Sequence, residues 1–286
     1  MMKLLVCFKI IPDLDQMSAK DYEADVRMQV NTSYVRTMWN CFDESGLEFG
    51  LRLSDEAEGL NLHLEKTALT VAGEQAELYL KTLNSLKYDE TVRIDDKGLD
   101  IRFVPEAIAQ EIALYVKEHP QDYIIMGRQA APGNNGLTPY FTASALGMRL
   151  VPDVVDIHLL EGGRLRAVTE EGGALYEQIV DRPAVFSIGN AVISKLRVPT
   201  LKDRIQYGKK EIKVAEAKAL DGFAGTIEVA LEEQNGIIQT VFLNADNFYE
   251  WNLSTGSGTY RIQSVSATEG DLSFVTEFSN MYQNPP

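Results

Sequence analysis

Apolar residues along this chain fall into short continuous runs that alternate with longer stretches of helical period. The first run, MMKLLVCFKIIPD, begins almost at residue 1 and stops at Pro12-Asp13, as the first strand of a parallel sheet would. Residues 14–36 are rich in charge and lack a period. Residues 40–53 then read as a helix and residues 62–71 as a second strand, which ends at Ala72-Gly73 before a helix with Ala76, Leu80 and Leu83 on one face. A third short strand is expected at 91–94. Pro105 suits the first turn of the next helix, where its missing N–H costs nothing, and Ile108, Ile112, Tyr115 and Val116 give that helix an apolar stripe. Residues 123–126 form a fourth strand. Such alternation predicts an α/β fold: a parallel-core sheet with helices on both faces and ligand binding at the carboxyl ends of the strands.

The rhythm changes after residue 150. Strand-like runs at 154–160, 165–168, 174–180 and 184–188 are separated by turn pairs, among them Gly162-Gly163 and Gly172-Gly173, which suggest hairpins forming an antiparallel extension of the main sheet. The next loop, 190–199, is expected to return to a surface near the loop after the fourth strand. A different segment begins near Val214. Residues 214–286 hold ten acidic and two basic side chains together with nine aromatics, too many for a purely solvating tail. Two units follow, 1–213 and 214–286. The second is expected to be a small β-rich arm or subdomain, with strands near 227–231, 237–243, 259–265 and 272–278.

At 286 residues and 45% hydrophobic content the chain can bury a large core. The net charge of −15 excludes non-specific binding to nucleic acid or to an anionic membrane surface, since either would be repelled. No apolar stretch approaches the length of a membrane span, and the amino terminus lacks a signal-peptide pattern, so a cytoplasmic protein is expected. Cys7 and Cys41 show no CxxC spacing and read as small buried hydrophobes. His63, His119 and His158 are scattered without a metal-ligand spacing, and no metal is expected.

The richest stretch is DYIIMGRQAAPGNNGLTPYFTASALG, residues 122–147. A strand leads into a loop containing Gly127, Gly133 and Gly136, and a helix opens near Thr138-Pro139. Free backbone N–H groups and the positive end of a helix dipole at such a turn suit a phosphate, although an ordinary strand-to-helix connection has the same outline. GxGxxG and GxxxxGK[ST] are both absent, which excludes the commonest dinucleotide and triphosphate loops.

The opening strand, Asn40 and Phe42 before a helix, the GRQA segment, and Arg197-Val198-Pro199-Thr200-Leu201 followed by Gly208-Lys209-Lys210 together resemble the beta subunit of electron transfer flavoproteins over roughly residues 3–213. The resemblance implies a Rossmann-like, adenine-nucleotide-binding α/β domain and an electron carrier, not an enzyme. It implies a heterodimer in which an alpha subunit holds most of the FAD, a dehydrogenase that donates electrons, and an AMP, or in some members a second FAD, bound by the beta subunit.

Carried onto this chain, the resemblance places the nucleotide against Cys7, Phe8 and Lys9, Asn40, Ala72 and Gly73, Met126 and Gly127, Asn134, and the phosphate turn Gly136, Leu137 and Thr138. It assigns Ile193 to partner binding, as an exposed aliphatic anchor, and Arg197 to the flavin, where a cation would stabilise the reduced anionic ring. The family's acidic run after GxQA is replaced here by Pro132, Gly133 and Asn134, and Leu137 stands at a usually polar position. The nucleotide's identity therefore stays open between AMP, a second FAD and an empty pocket. Two other classes remain: a stand-alone adenine-nucleotide sensor of the universal-stress type, and an interaction scaffold with a degenerate pocket.

Overall fold

The computed structural model describes residues 2–23, 30–99 and 101–220, and beyond them the strands at 226–231, 239–244, 252–255, 258–262 and 278–280. The opening apolar run makes β1 (Met2–Cys7), continued by the short β2 (Ile10–Pro12), which pairs with β3 (Thr37–Trp39). Next come α1 (Cys41–Gly59), β4 (Leu64–Val71), α2 (Glu77–Ser85), β5 (Glu90–Asp95), α3 (Pro105–Glu118), β6 (Tyr123–Gly127) and α4 (Thr138–Leu146). The later half adds β7 (Arg149–Leu159), β8 (Leu165–Glu171), β9 (Ala174–Val180), β10 (Ala184–Ile188), α5 (Leu201–Tyr207) and β11 (Lys213–Glu216).

Nine strands form one sheet in the order β11-β5-β4-β1-β6-β10-β7-β8-β9. Pairing is parallel from β11 through β7 and antiparallel at β7–β8 and β8–β9. The expected extension is therefore made of the two hairpins at the glycine pairs. Ala184–Ile188 departs from that expectation, since it inserts between β6 and β7 and runs parallel to both. Its five residues are all buried, which suits a strand covered on both faces rather than one arm of a hairpin.

Strand order reverses at β1. The chain moves from β1 outward to β4 and β5, then returns to β6 on the other side, so β1 and β6 diverge at their carboxyl ends and open a crevice. α1 lies flush against this centre because Gly46 and Gly50 face the sheet. A Cβ on Gly46 would stand 2.9 Å from Ile125 Cγ2, and one on Gly50 would stand 3.0 Å from Val6 Cγ2. Leu4, Val6 and Phe8 share a core with Leu47, Phe49, Leu51 and Leu53 of α1, while Leu5 and Cys7 alternate to the opposite face. Ile112, Tyr115 and Val116 of α3 are buried as their spacing predicts. Ile108 is only half-buried, because it borders the crevice.

The carboxyl-terminal boundary differs from the one drawn on charge. β11 pairs with β5 in the main sheet, and Ala217 and Leu220 are buried, so one compact unit runs Met1–Asp221 and a second Gly222–Pro286. Glu111 of α3 holds the last part of the first unit: its carboxylate accepts from the backbone N–H groups of Lys218 (3.0 Å), Ala219 (2.5 Å) and Leu220 (2.9 Å). Within the second unit, β12 (Thr226–Leu231) pairs antiparallel with β13 (Gln239–Asn244), and β15 (Gly258–Ile262) pairs with β14 (Asn252–Thr255) and β16 (Phe278–Asn280). The runs expected at 227–231, 237–243 and 259–265 overlap these strands. Of the run expected at 272–278, only Phe278 lies within the described residues.

Candidate nucleotide site and partner loop

The crevice is a cavity of about 380 Å³. Its walls are the carboxyl ends of β1, β4 and β6, residues of the loop between Arg128 and Gly136, the first turn of α4, one face of α3, and Asp96, Leu99, Ile101 and Arg102. Of the residues expected to meet a nucleotide, Cys7, Phe8, Lys9, Ala72, Met126, Gly127, Gly136 and Thr138 line it.

Asn40, Gly73, Asn134 and Leu137 do not. Asn40 is buried behind the wall, where its amide donates to Asp43 Oδ2 (3.0 Å) and to the Gln129 carbonyl (2.8 Å). Gly73 precedes a short turn whose Gln75 lines the cavity in its stead. Asn134 is exposed, with a φ of +48°. The Leu137 side chain is 41% exposed, and its backbone N–H is taken by Asn135 Oδ1 at 3.1 Å. Gly136 has a φ of +68°, a backbone shape that favours glycine.

Asp43, which sequence reasoning passed over, organises the floor. One oxygen accepts from the N–H of Gly127 at the end of β6 (2.8 Å), the other from the N–H of Lys9 beyond β1 (2.9 Å) and from Asn40. A single carboxylate at the start of α1 thus ties together the two diverging strands. Burial raises its pKa to about 6, against the lowering effect of those hydrogen bonds and of the Lys9 charge. Gly127 is a glycine because a Cβ there would stand 2.3 Å from Asp43 Oδ1. Asn-x-x-Asp at a helix start was the available signal, since an acid at the third helical position commonly bonds backward. Cys7 is buried, and desolvation, with Asp43 adding to it, raises its thiol pKa far above the ordinary value. Cys41, expected to be buried, is exposed because it occupies the solvent-facing first position of α1.

α4 begins without a side-chain cap, and Pro139 in its first turn has no N–H. The start of the helix, beside Gly136 and Thr138, is thus open to an anion in the capping role. The cavity fits a nucleotide in three respects: position at the strand-order reversal, an apolar wall from Leu69, Val71, Ile108 and Ile112, and a glycine turn at a helix start.

Loop 190–199 leaves β10 beside the cavity, where Arg128 pairs with Asp153 (3.0 Å), but then runs along α1. Glu44 accepts from the Leu196 N–H (3.2 Å). Glu48, one turn later, accepts from the N–H (2.8 Å) and Nε (2.7 Å) of Arg197. Asp55 takes the remaining arm of the guanidinium at 2.8 Å. Burial lowers the Arg197 pKa, but these two carboxylates outweigh it and leave the net shift upward. Arg197 is therefore a fixed cation, half-exposed and outside the cavity. Ile193 is partly buried against the core. The exposed aliphatic side chains nearby are Val192 (67%), Val198 (79%), Leu201 (74%) and Ile205 (67%).

This architecture defines an α/β protein of Rossmann-like fold, with a crevice at the strand-order reversal and a second loop held along α1. A family model described as electron transfer flavoprotein domain matches residues 27–220. The chain is 30% identical over 220 residues, 74% of its own length and 80% of the other's, to a protein of Escherichia coli (strain K12) named "Putative electron transfer flavoprotein subunit YgcR". It is 23% identical over 175 residues to the electron transfer flavoprotein subunit beta of Mycobacterium bovis and of Mycobacterium tuberculosis, covering 60% of this chain and 64% of each of those. The chain belongs to the electron transfer flavoprotein beta family. It is an electron transfer flavoprotein subunit, and membership of that family of electron carriers implies association with a flavin. Among the described residues, no helix is long and apolar enough to cross a membrane, and no group of three or more His, Cys, Asp or Glu could hold a metal ion.

Proposed function

We propose that this chain is the beta subunit of a heterodimeric electron transfer flavoprotein. It passes electrons from a dehydrogenase through an FAD held mainly by the alpha subunit, and it makes or breaks no substrate bonds itself. The observation that carries the reading is the cavity at the ends of β1, β4 and β6, with its glycine turn and uncapped helix, in a chain of this family. Its volume of about 380 Å³ lies near the small end of the range for ligand pockets, roughly 300–1,000 Å³, which favours AMP over a second FAD.

Cys7, Phe8, Lys9, Ala72, Met126 and Gly127 would then border the nucleoside, and Gly136 and Thr138 its phosphate. Asn40 and Asp43 fix the strand ends that shape the floor. FAD, when bound by the pair of subunits, supplies the redox chemistry. This chain contributes the held cation Arg197 and excludes water from its side of the interface. The exposed aliphatic side chains Val192, Val198, Leu201 and Ile205, close to Ile193 in the chain, support dehydrogenase docking on this segment, because large apolar side chains left open to solvent suit a protein contact.

The test is purification with and without the alpha subunit of the same genome. Alone, the chain should be colourless and bind AMP weakly; coexpressed, it should copurify with flavin absorbance. Tight stoichiometric FAD on the isolated chain would overturn this division of labour.

A further inference from the structure

The chain around α5 carries a charge opposite to that of the whole protein. Residues 195–213 hold seven of the 27 basic side chains and two of the 42 acidic ones, a net of +5 in a chain of net charge −15. Four of the seven are engaged. Lys195 pairs with Glu44 (3.4 Å), Arg197 with Glu48 and Asp55, and Lys213 with Glu90, while the Lys210 ammonium donates to the Tyr88 (3.4 Å) and Asp89 carbonyls. Lys202, Arg204 and Lys209 are exposed, and among the described residues their side chains have no ion-pair or hydrogen-bond partner. Asp203, the one acid of α5, is already held by Thr200 Oγ1 (2.5 Å) and by the Lys87 ammonium (3.6 Å).

These three cations border exposed aliphatic side chains. Leu201 and Ile205 stand one turn apart on α5. Arg204 follows Leu201 by three residues and Lys202 precedes Ile205 by three, a spacing at which helical side chains are neighbours, and Lys209 comes just after the last turn. A partner that buries Leu201 and Ile205 takes the adjoining cations out of water as well, and that is favourable only where carboxylates meet them.

We infer that α5 is a docking surface for the electron-donating dehydrogenase, which meets it with an apolar centre bordered by carboxylates. The inference rests on the docking read above and deepens it by giving the partner's surface its chemistry. An extended phosphate-rich surface is opposed by the net charge of −15, whereas screening leaves a local acidic rim free to attract this helix.

The experiment uses the full-length chain assembled with the alpha subunit of the same genome, reduced by the dehydrogenase of that genome that bleaches its flavin fastest. The second-order rate constant is measured from about 25 to about 250 mM sodium chloride, over which the screening length shortens about threefold. The wild-type rate should fall about tenfold or more across this range. The triple variant Lys202→Glu, Arg204→Glu, Lys209→Glu should be about tenfold or more slower than wild type at low salt, with a flat or reversed salt dependence. Ile205→Ala should slow the reaction alike at every salt concentration. Unaltered flavin absorbance shows that each variant is folded and assembled. A wild-type rate that does not fall with salt, or a triple variant as fast as wild type, would overturn the inference while leaving the electron carrier reading standing. Loss of alpha-subunit copurification in the triple variant would overturn it in favour of that subunit, and wild-type chain that pellets with phosphatidylserine vesicles would overturn it in favour of a lipid surface. A wild-type heterodimer that no dehydrogenase of the genome reduces would overturn both readings.

Discussion

Replacing Asp43 by alanine tests whether one buried carboxylate holds the site's floor. The variant removes the acceptor for the Lys9 and Gly127 N–H groups and for the Asn40 amide. One orphaned buried donor costs about 1–3 kcal/mol, and water from the adjoining cavity can serve some of the three, so a loss of about 2–4 kcal/mol at pH 7 is expected. The pH dependence gives a sharper signature. Burial raises the folded pKa from 3.8 to about 6. A carboxyl whose folded pKa lies above its unfolded one stabilises the fold fully below the unfolded value and loses that contribution as pH rises through the folded value. With those two pKa values the contribution falls by roughly 1.4 kcal/mol between pH 5 and pH 8. Alanine has no such titration, so the gap between wild type and variant should narrow by about that much over this window. Urea denaturation of both proteins at several pH values, followed by circular dichroism, measures it. A loss at pH 7 below roughly 0.5 kcal/mol, the ordinary range for surface substitutions, would refute the reasoning, as would a gap that widens with pH.

Gly136→Val forces a β-branched residue to a φ of +68° with its Cβ near the Arg128 carbonyl, so it should cost about 1–2 kcal/mol or more and reduce copurified adenine nucleotide. Unchanged nucleotide content would remove Gly136 from the site. Glu111→Ala should cost about 2–3 kcal/mol locally, because three backbone donors lose their charged acceptor. The readout is hydrogen exchange at Lys218, Ala219 and Leu220, and undiminished protection there would mean that another group anchors this segment.

Much of this protein was legible in its sequence. Continuous apolar runs in β1 and β6 and the stripe on α3 fixed the alternation of strand and helix, because burial on two faces or on one stripe imposes distinct periods. The glycine pairs marked the hairpins at β7–β8 and β8–β9, and the strand–GRQA–glycine loop–helix order located the crevice. Tertiary structure decided what local pattern cannot encode. β10 entered the parallel core because both its faces are covered, and β11 joined the sheet despite the charge change that begins beside it. Asn40 moved from the cavity wall to a position behind it, since its amide satisfies Asp43. Arg197 lies on α1, drawn there by Glu48 and Asp55, and the apolar exposure expected at Ile193 lies instead at Val192, Val198, Leu201 and Ile205. Asp43 and Glu111 carry no mark in the chain that sets them apart from ordinary surface charges. Their roles arise from partners 84 and 107 or more positions away, at Gly127 and Lys218, and sequence periodicity carries no information about contacts at that separation.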